Sequence, residues 1–320
     1  MTKSSLPTDN QTLPDASAAR EDCSPNVPGQ NKAYADGALL NSIGYLEAKL
    51  ILKADPFTSS KVFRDFGKIV RQVAEKSDVG FEKDEGFDTH PEIREVVFFD
   101  TPEFHFYRNA FILRRRIPYV EGFPSGEPEM VLKFRHPDQA MAAALNMRPQ
   151  DGGKYRIKFK AEVLPLKDQV GGFRLLYSHN CQFTLSHANQ FKNVPTSTVL
   201  DLFPDAKKLL AEVEGAVSPV NAGIVEEVLL PIAKLDFGKG ITGKCGVALW
   251  RTRGEHKSLV GEFAFQTKVD PEESNIKEHL AHCASFYVAL QHALSDWLAL
   301  GVTKTAMVYR LNGTGPLSHE

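Results

Sequence analysis

The chain has 320 residues, 42% of them apolar, and 38 Lys and Arg against 40 Asp and Glu give a formal net charge of −2. That length allows one large or two ordinary domains, and the near-neutral balance without a basic block argues against a nucleic-acid partner. No run reaches the ~18 apolar residues of a membrane helix. Cys23, Cys181, Cys245 and Cys283 lack CxxC spacing, which favours reduced thiols in a cytoplasmic protein over a zinc site.

Residues 1–38 are rich in Ser, Pro, Asp and Asn and contain no apolar signal core, so they read as a disordered tail. Residues 39–312 read as one domain and 313–320 as a flexible end. The first strand, IGYLEAKLILKAD, alternates strictly: Tyr45, Glu47, Lys49 and Ile51 share one face, Leu46, Ala48, Leu50 and Leu52 the other. A helix follows, with Val62, Phe66, Ile69, Val70 and Val73 at helical spacing behind Thr58 or Ser59 as cap. REVVFFD and AFILRRR are neighbouring strands across a DTP turn, and EMVLKFRH is the next. KYRIKFKAEVL sets Lys154, Arg156, Lys158, Lys160 and Glu162 on one face. Residues 170–215 stay ambiguous, apart from a helix at PDAKKLLAEVE. Strands are then expected at VEEVLLPIAKLDFG, CGVALWRTR and LVGEFAFQTKV. A long amphipathic helix should end at Gly301, before a last short strand, TKTAMVYRL.

The strand faces carry the functional signal. An antiparallel sheet with one wet face gives alternation of this kind, so any single row of Lys and Arg is most simply a solvated surface. Here the rows recur on strand after strand: Lys154/Arg156/Lys158/Lys160, Arg114/Arg116, Lys133/Arg135, and Lys49 beside Glu47. Like charge concentrated on neighbouring strands is repulsive unless an anion compensates it. A barrel with charge inside and apolar residues outside under helices satisfies both patterns, and its lumen suits a polyanion. The histidines, His279, His282 and His292 among them, show no paired-ligand spacing and fit a helix surface or edge. Trp250 and Trp297 read as packing anchors, and Cys283 as core.

The motifs YLEAK, FFDTPEFHFYRNAFILRRR, MVLKFR, KFKAEV, LVGEFAFQ and TKTAMVYRL together resemble those of the CYTH superfamily. These triphosphate tunnel metalloenzymes include class IV adenylate cyclases, thiamine triphosphatases and inorganic triphosphatases. The resemblance spans about residues 41–312 and implies an α+β fold, a closed antiparallel eight-stranded β-barrel with flanking helices. It implies substrate contacts from Lys49, Arg114, Arg116, Lys133, Lys158, Lys160 and Lys304, and catalytic roles for Glu47 and Glu262. Metal ligation, of Mg²⁺ or Mn²⁺, falls to Glu47, Glu162 and Glu262. The implied activity is metal-dependent hydrolysis of an inorganic or organic triphosphate or polyphosphate, rather than cyclisation, because no adenine pocket is identifiable. A homodimer is left open.

Tyr45 and Ala264 stand where the motifs would carry two further glutamates, which lowers the expected affinity for a hard dication. The alternatives are therefore a phosphate- or nucleotide-binding tunnel with little or no turnover, and a barrel for single-stranded RNA.

Overall fold

The computed structural model describes residues 43–150, 153–185, 192–269, 276–313 and 315–316. The tail assigned to residues 1–38 lies outside them, as do residues 317–320. Nine strands form the fold's ring: β1 (Tyr45–Leu52), β2 (Glu92–Asp100), β3 (Phe111–Val120), β4 (Glu129–His136), β5 (Tyr155–Pro165), β6 (Phe173–Phe183), β7 (Val225–Asp236), β8 (Thr242–Thr252) and β9 (Ser258–Lys268). Their order around it is β1-β5-β6-β4-β3-β2-β7-β8-β9, and β9 pairs with β1 to close the barrel.

This corrects the eight-stranded, all-antiparallel expectation. The additional strand is β6, in the segment whose sequence is ambiguous. A closed ring with an odd number of strands cannot alternate direction throughout. One neighbouring pair must be parallel, and it is β1 with β5, Glu47 lying opposite Glu162.

Alternation sorts each strand into an inner and an outer face. Outward-facing Leu50 and Leu52 of β1, Val247 of β8 and Phe263 and Phe265 of β9 pack beneath two helices, α1 (Ser60–Lys76) and α2 (Ile276–Ala293). α1 contributes Phe63, Phe66, Val70 and Val73, all buried. Each such fully buried side chain stabilises the fold by roughly 1.5–3 kcal/mol. Gly67 lets α1 approach closely, since a Cβ there would lie 2.4 Å from the Phe87 ring. On the far side, Phe99, Phe111, Leu113 and Leu132 are covered by Val199, Leu200, Phe203 and Ala206. The ambiguous middle of the sequence thus supplies the second outer layer as well as a barrel strand.

A third apolar cluster joins Ile51, Phe98, Ile112 and Trp250 to Val308 and Tyr309 of α3 (Lys304–Tyr309). The strand expected at TKTAMVYRL is this short helix. The Thr303 hydroxyl caps it by accepting the Ala306 N–H at 3.2 Å, and the closed ring leaves no barrel edge for another strand. Its C-terminal carbonyls, of Val308 and Tyr309, accept the Asn221 side-chain amide. α2 also departs from expectation. It stops at Ala293, a single turn (Ser295–Trp297) follows, and Gly301, at φ +73°, sits in a separate turn at residues 300–301.

Candidate functional site

The three consecutive arginines divide by strand parity. Arg115 faces outward to Glu95 at 2.8 Å, while Arg114 and Arg116 face the lumen. Around them the lumen gathers every residue that the motifs single out: Glu47, Lys49, Lys133, Lys158, Lys160, Glu262 and Lys304 line it, and Glu162 lies buried behind Lys49 and Lys133. Two contiguous cavities, of about 270 and 250 Å³, share Glu47, Arg114, Arg116, Lys160 and Asn180.

Charge in the inner part of the lumen is organised by carboxylates that each hold cations. Glu162 is 1% exposed. Its Oε2 lies 3.2 Å from Lys49 Nζ and 3.2 Å from Arg135 Nε; its Oε1 meets Lys133 Nζ at 2.5 Å and accepts the Ser178 hydroxyl at 2.6 Å. Burial alone would raise its pKa, but Arg135, Lys133 and Lys49 outweigh burial and hold it well below the carboxylate range. Glu47 is depressed in the same way, burial being overcome by Lys49 at 2.8 Å and Lys160 at 3.2 Å. Glu227 takes Arg116 at 3.1 Å, and Glu262 takes Lys304 at 2.6 Å. Lys304 also sits 4.5 Å from the centre of the Trp250 ring, so this buried tryptophan both packs and supports a lumen cation.

Even so, positive charge dominates. Ten cations, the seven predicted together with Arg94, Arg135 and Arg156, reach the lumen against the five carboxylates of Glu47, Glu129, Glu162, Glu227 and Glu262. Crowding of like charge is visible at Arg114, where burial and Arg116 bring the guanidinium down to about 10. Three contributors escaped the sequence reading: Arg94, Asn180 and Glu227. Glu227 sits in the run VEEVLLPIAK, whose alternation is interrupted by an irregularity between Pro231 and Ala233. Arg94 lies near a strand start, where parity is hardest to set.

The donor set fits a divalent cation in one sense only. No group of three His, Cys, Asp or Glu side chains converges among the described residues. Glu47 and Glu162 are held by lysines, and the β1–β9 pairing places Tyr45 opposite Lys268 and Ala264 opposite Lys49. Three buried carboxylate oxygens have no hydrogen-bond partner: Glu162 Oε2 and Glu227 Oε2, which still face cations at 3.2 and 3.1 Å, and Glu262 Oε2, whose residue pairs with Lys304 through Oε1. The described residues therefore form no cage of protein ligands alone. A Mg²⁺ carried mainly by substrate phosphates and completed by one or two carboxylates suits the arrangement. The three cysteines described, Cys181, Cys245 and Cys283, are buried, and burial pushes their thiols up to about 12, so they are packing residues. His292 is exposed, whereas the His282 ring spans the Ser77 and Phe237 carbonyl oxygens; the His279 side chain lies outside the described residues. No helix among the described residues is long and apolar enough to cross a membrane.

No family model and no curated protein matches the chain. Among solved structures it is similar to an adenylyl cyclase candidate from Hippeastrum described as having a dominant triphosphatase activity. Identity is 13%, over 87% of this chain and 100% of that one, with a TM-score of 0.39. It is also similar to an adenylate cyclase candidate from Bacillus halodurans (12%, over 82% and 98%, TM-score 0.37). A third, from Vibrio parahaemolyticus, gives 10% identity over 83% and 98%, with a TM-score of 0.34.

Proposed function

We propose that the tunnel binds the phosphate chain of a triphosphate-bearing substrate and hydrolyses it with a divalent cation, Mg²⁺ or Mn²⁺, that arrives on the substrate. The observation that carries this reading is the excess of lumen cations over carboxylates inside a closed ring of strands. Such charge is costly to keep from water without a counter-anion, and phosphate oxygens supply one. Lys49, Lys133, Lys160, Lys304, Arg114 and Arg116 would position the chain. Most of what phosphoryl transfer asks of a protein is positioning and charge stabilisation. When bound, the cation would draw charge from the phosphoryl oxygens. Glu262, with Oε2 free, would complete its coordination or orient the attacking water, and Glu47 would hold Lys49 and Lys160 in place. Hydrolysis is favoured over cyclisation because no adenine pocket is identifiable among the described residues.

A second reading, binding without turnover, is favoured by the same carboxylates being engaged by lysines and by the absence of acids at Tyr45 and Ala264. Phosphate release from inorganic triphosphate, ATP and thiamine triphosphate, each with Mg²⁺, Mn²⁺ or EDTA, separates the two. Metal-dependent release that Glu262→Gln abolishes supports hydrolysis. Saturable binding with no release under any condition leaves a binding protein.

A further inference from the structure

Two of the motifs contain residues that the lumen does not use, Asp100 of FFDTP and Tyr309 of TKTAMVYRL. The fold brings them together although 209 positions separate them. Asp100 ends β2 and is 2% exposed. Its Oδ1 accepts the backbone N–H groups of Thr101 at 2.8 Å and Phe106 at 2.9 Å. Its Oδ2 accepts the N–H of Tyr107 at 2.9 Å and the Tyr309 hydroxyl at 3.0 Å. Burial outweighs these hydrogen bonds and raises the carboxyl to about 6, so at neutral pH it is ionised and accepts all four. Burial and Asp100 together push the Tyr309 phenol well above its ordinary range, which keeps it a donor. The loop that supplies the three N–H groups is held in a costly shape, because Phe104 at φ +59° and Ala110 at φ +65° are left-handed residues other than glycine. It forms a cradle: the Tyr107 ring stacks on Tyr309 with centroids 4.2 Å apart, and Phe104 packs beside it at 5.5 Å. Asn221 closes the other side, donating its amide to the Val308 and Tyr309 carbonyl oxygens at 2.9 and 3.0 Å.

These contacts matter because of what α3 carries at its other end. Lys304 Nζ reaches Glu262 at 2.6 Å and lies over Trp250, and Thr305 lines the lumen. The other lumen cations all sit on barrel strands, whose hydrogen-bond ladders fix them. A six-residue helix has little stability of its own and belongs to no ladder. Its apolar packing against Phe98 and Trp250 is non-directional, so rotation and sliding of α3 are set by its hydrogen bonds. We propose that Asp100, Tyr309 and Asn221 are positioning residues that latch α3 to the end of β2 and thereby set the place of Lys304 in the lumen. This rests on the tunnel reading above for what Lys304 binds, and adds to it residues outside the lumen on which that binding depends.

The test is a double-mutant cycle between the latch and Lys304, read in two ways. Tyr309→Phe keeps the ring and removes the hydroxyl, and Asn221→Gly keeps the left-handed backbone, φ +55°, and removes the amide. These variants, their combination and Lys304→Met are each checked for a melting transition. The first readout needs no ligand. It is the emission of Trp250 in full-length protein carrying Trp297→Phe, which leaves Trp250 as the only tryptophan. The combined latch variant should shift that emission in the same direction as Lys304→Met, and should shift it no further in the Lys304→Met background. The second readout is calorimetric titration of sodium tripolyphosphate into the protein with Trp297 in place. The combined latch variant should weaken binding about threefold to tenfold and Lys304→Met about tenfold, while all three substitutions together should weaken it no more than Lys304→Met alone. Losses of affinity that simply add, or an emission that the latch variants leave unchanged, would overturn the latch and leave the tunnel reading intact. Absence of tripolyphosphate binding by the unmodified protein would overturn the tunnel reading instead, and the emission cycle alone would then decide the latch. If the combined variant does not fold, the cycle with Tyr309→Phe decides, since it removes one hydroxyl and leaves Asp100 Oδ2 its bond from Tyr107.

Discussion

The inner and outer halves of the lumen use the same residue types to opposite ends. Inside, Glu162 collects Lys49, Lys133 and Arg135 about one fully buried carboxylate, and Glu47, Glu227 and Glu262 hold cations of their own. At the outer end, Arg156 and Lys158 share a cavity with Glu47 and Glu129 but form no ion pair with them or with any other described carboxylate. A buried ion cluster of the first kind is strongly destabilising to break, because removing one partner strands the others without compensation. Cations of the second kind add little to the fold and leave their charge to a ligand. The difference teaches which positive residues of a charged barrel are structural: those whose partner is already in the chain.

The sharpest way to break that comparison is Glu162→Gln, which leaves three cations facing one another. We expect a loss of about 3–5 kcal/mol, which at this size lowers Tm by on the order of 10 °C. Inorganic triphosphate should restore part of it, read by scanning calorimetry with and without ligand. Acid titration probes the same cluster. The carboxyls of Glu47 and Glu162 are depressed in the folded state, so their contribution is complete above the unfolded value of about 4.5. It should be lost progressively as pH falls below that value. Tm followed from pH 7 downwards should therefore drop more steeply in the unmodified protein than in Glu162→Gln; parallel curves would deny the cluster its stabilising role.

Arg114→Ala should behave in the opposite sense, weakening triphosphate binding by roughly 10- to 100-fold for a lost charged contact while shifting Tm far less than Glu162→Gln. Arg114 reaches Glu129 only at 3.8 Å, so little is lost from the unliganded fold. The smallest effect belongs to the outer surface. Asp65 pairs with Lys61 and Lys68 along one exposed face of α1, and Asp65→Asn should leave both affinity and Tm unchanged within about 1 °C.

Much of this arrangement was legible in alternation. The row Lys154, Arg156, Lys158, Lys160, Glu162 and the pair Arg114/Arg116 show period two without ambiguity. The apolar residues between them, such as Leu50 and Leu113, are those found packed outside the barrel. The motif resemblance added Lys304 and Glu262, which the structure brings together at 2.6 Å although they are 42 residues apart. What stayed hidden had a physical reason. β6 carries Ser178, His179 and Asn180 in mid-strand, and His179 is fully buried, so neither face reads as apolar or as charged. Burial lowers the pKa of His179 to about 4, which makes it a neutral core residue that composition alone scores as polar. The parallel β1–β5 pair follows from the parity of the ring and not from either strand's sequence. α3 contains Val and Tyr, which suit a strand, yet Thr303 caps it and its apolar side is used by Val308 and Tyr309 against the end of the barrel. Tertiary context overrode propensity there.

The central claim is that the surplus lumen charge is a ligand site. The most direct measurement of it is calorimetric titration of inorganic triphosphate into the unmodified full-length protein and into Arg114→Ala at two salt concentrations. The account predicts one saturable site per chain, weakened by salt and by the substitution, with both proteins fully folded. A titration without heat of binding, or an affinity that Arg114→Ala leaves unchanged, would contradict it and return the lumen's arginines and lysines to the role of an internal ion network.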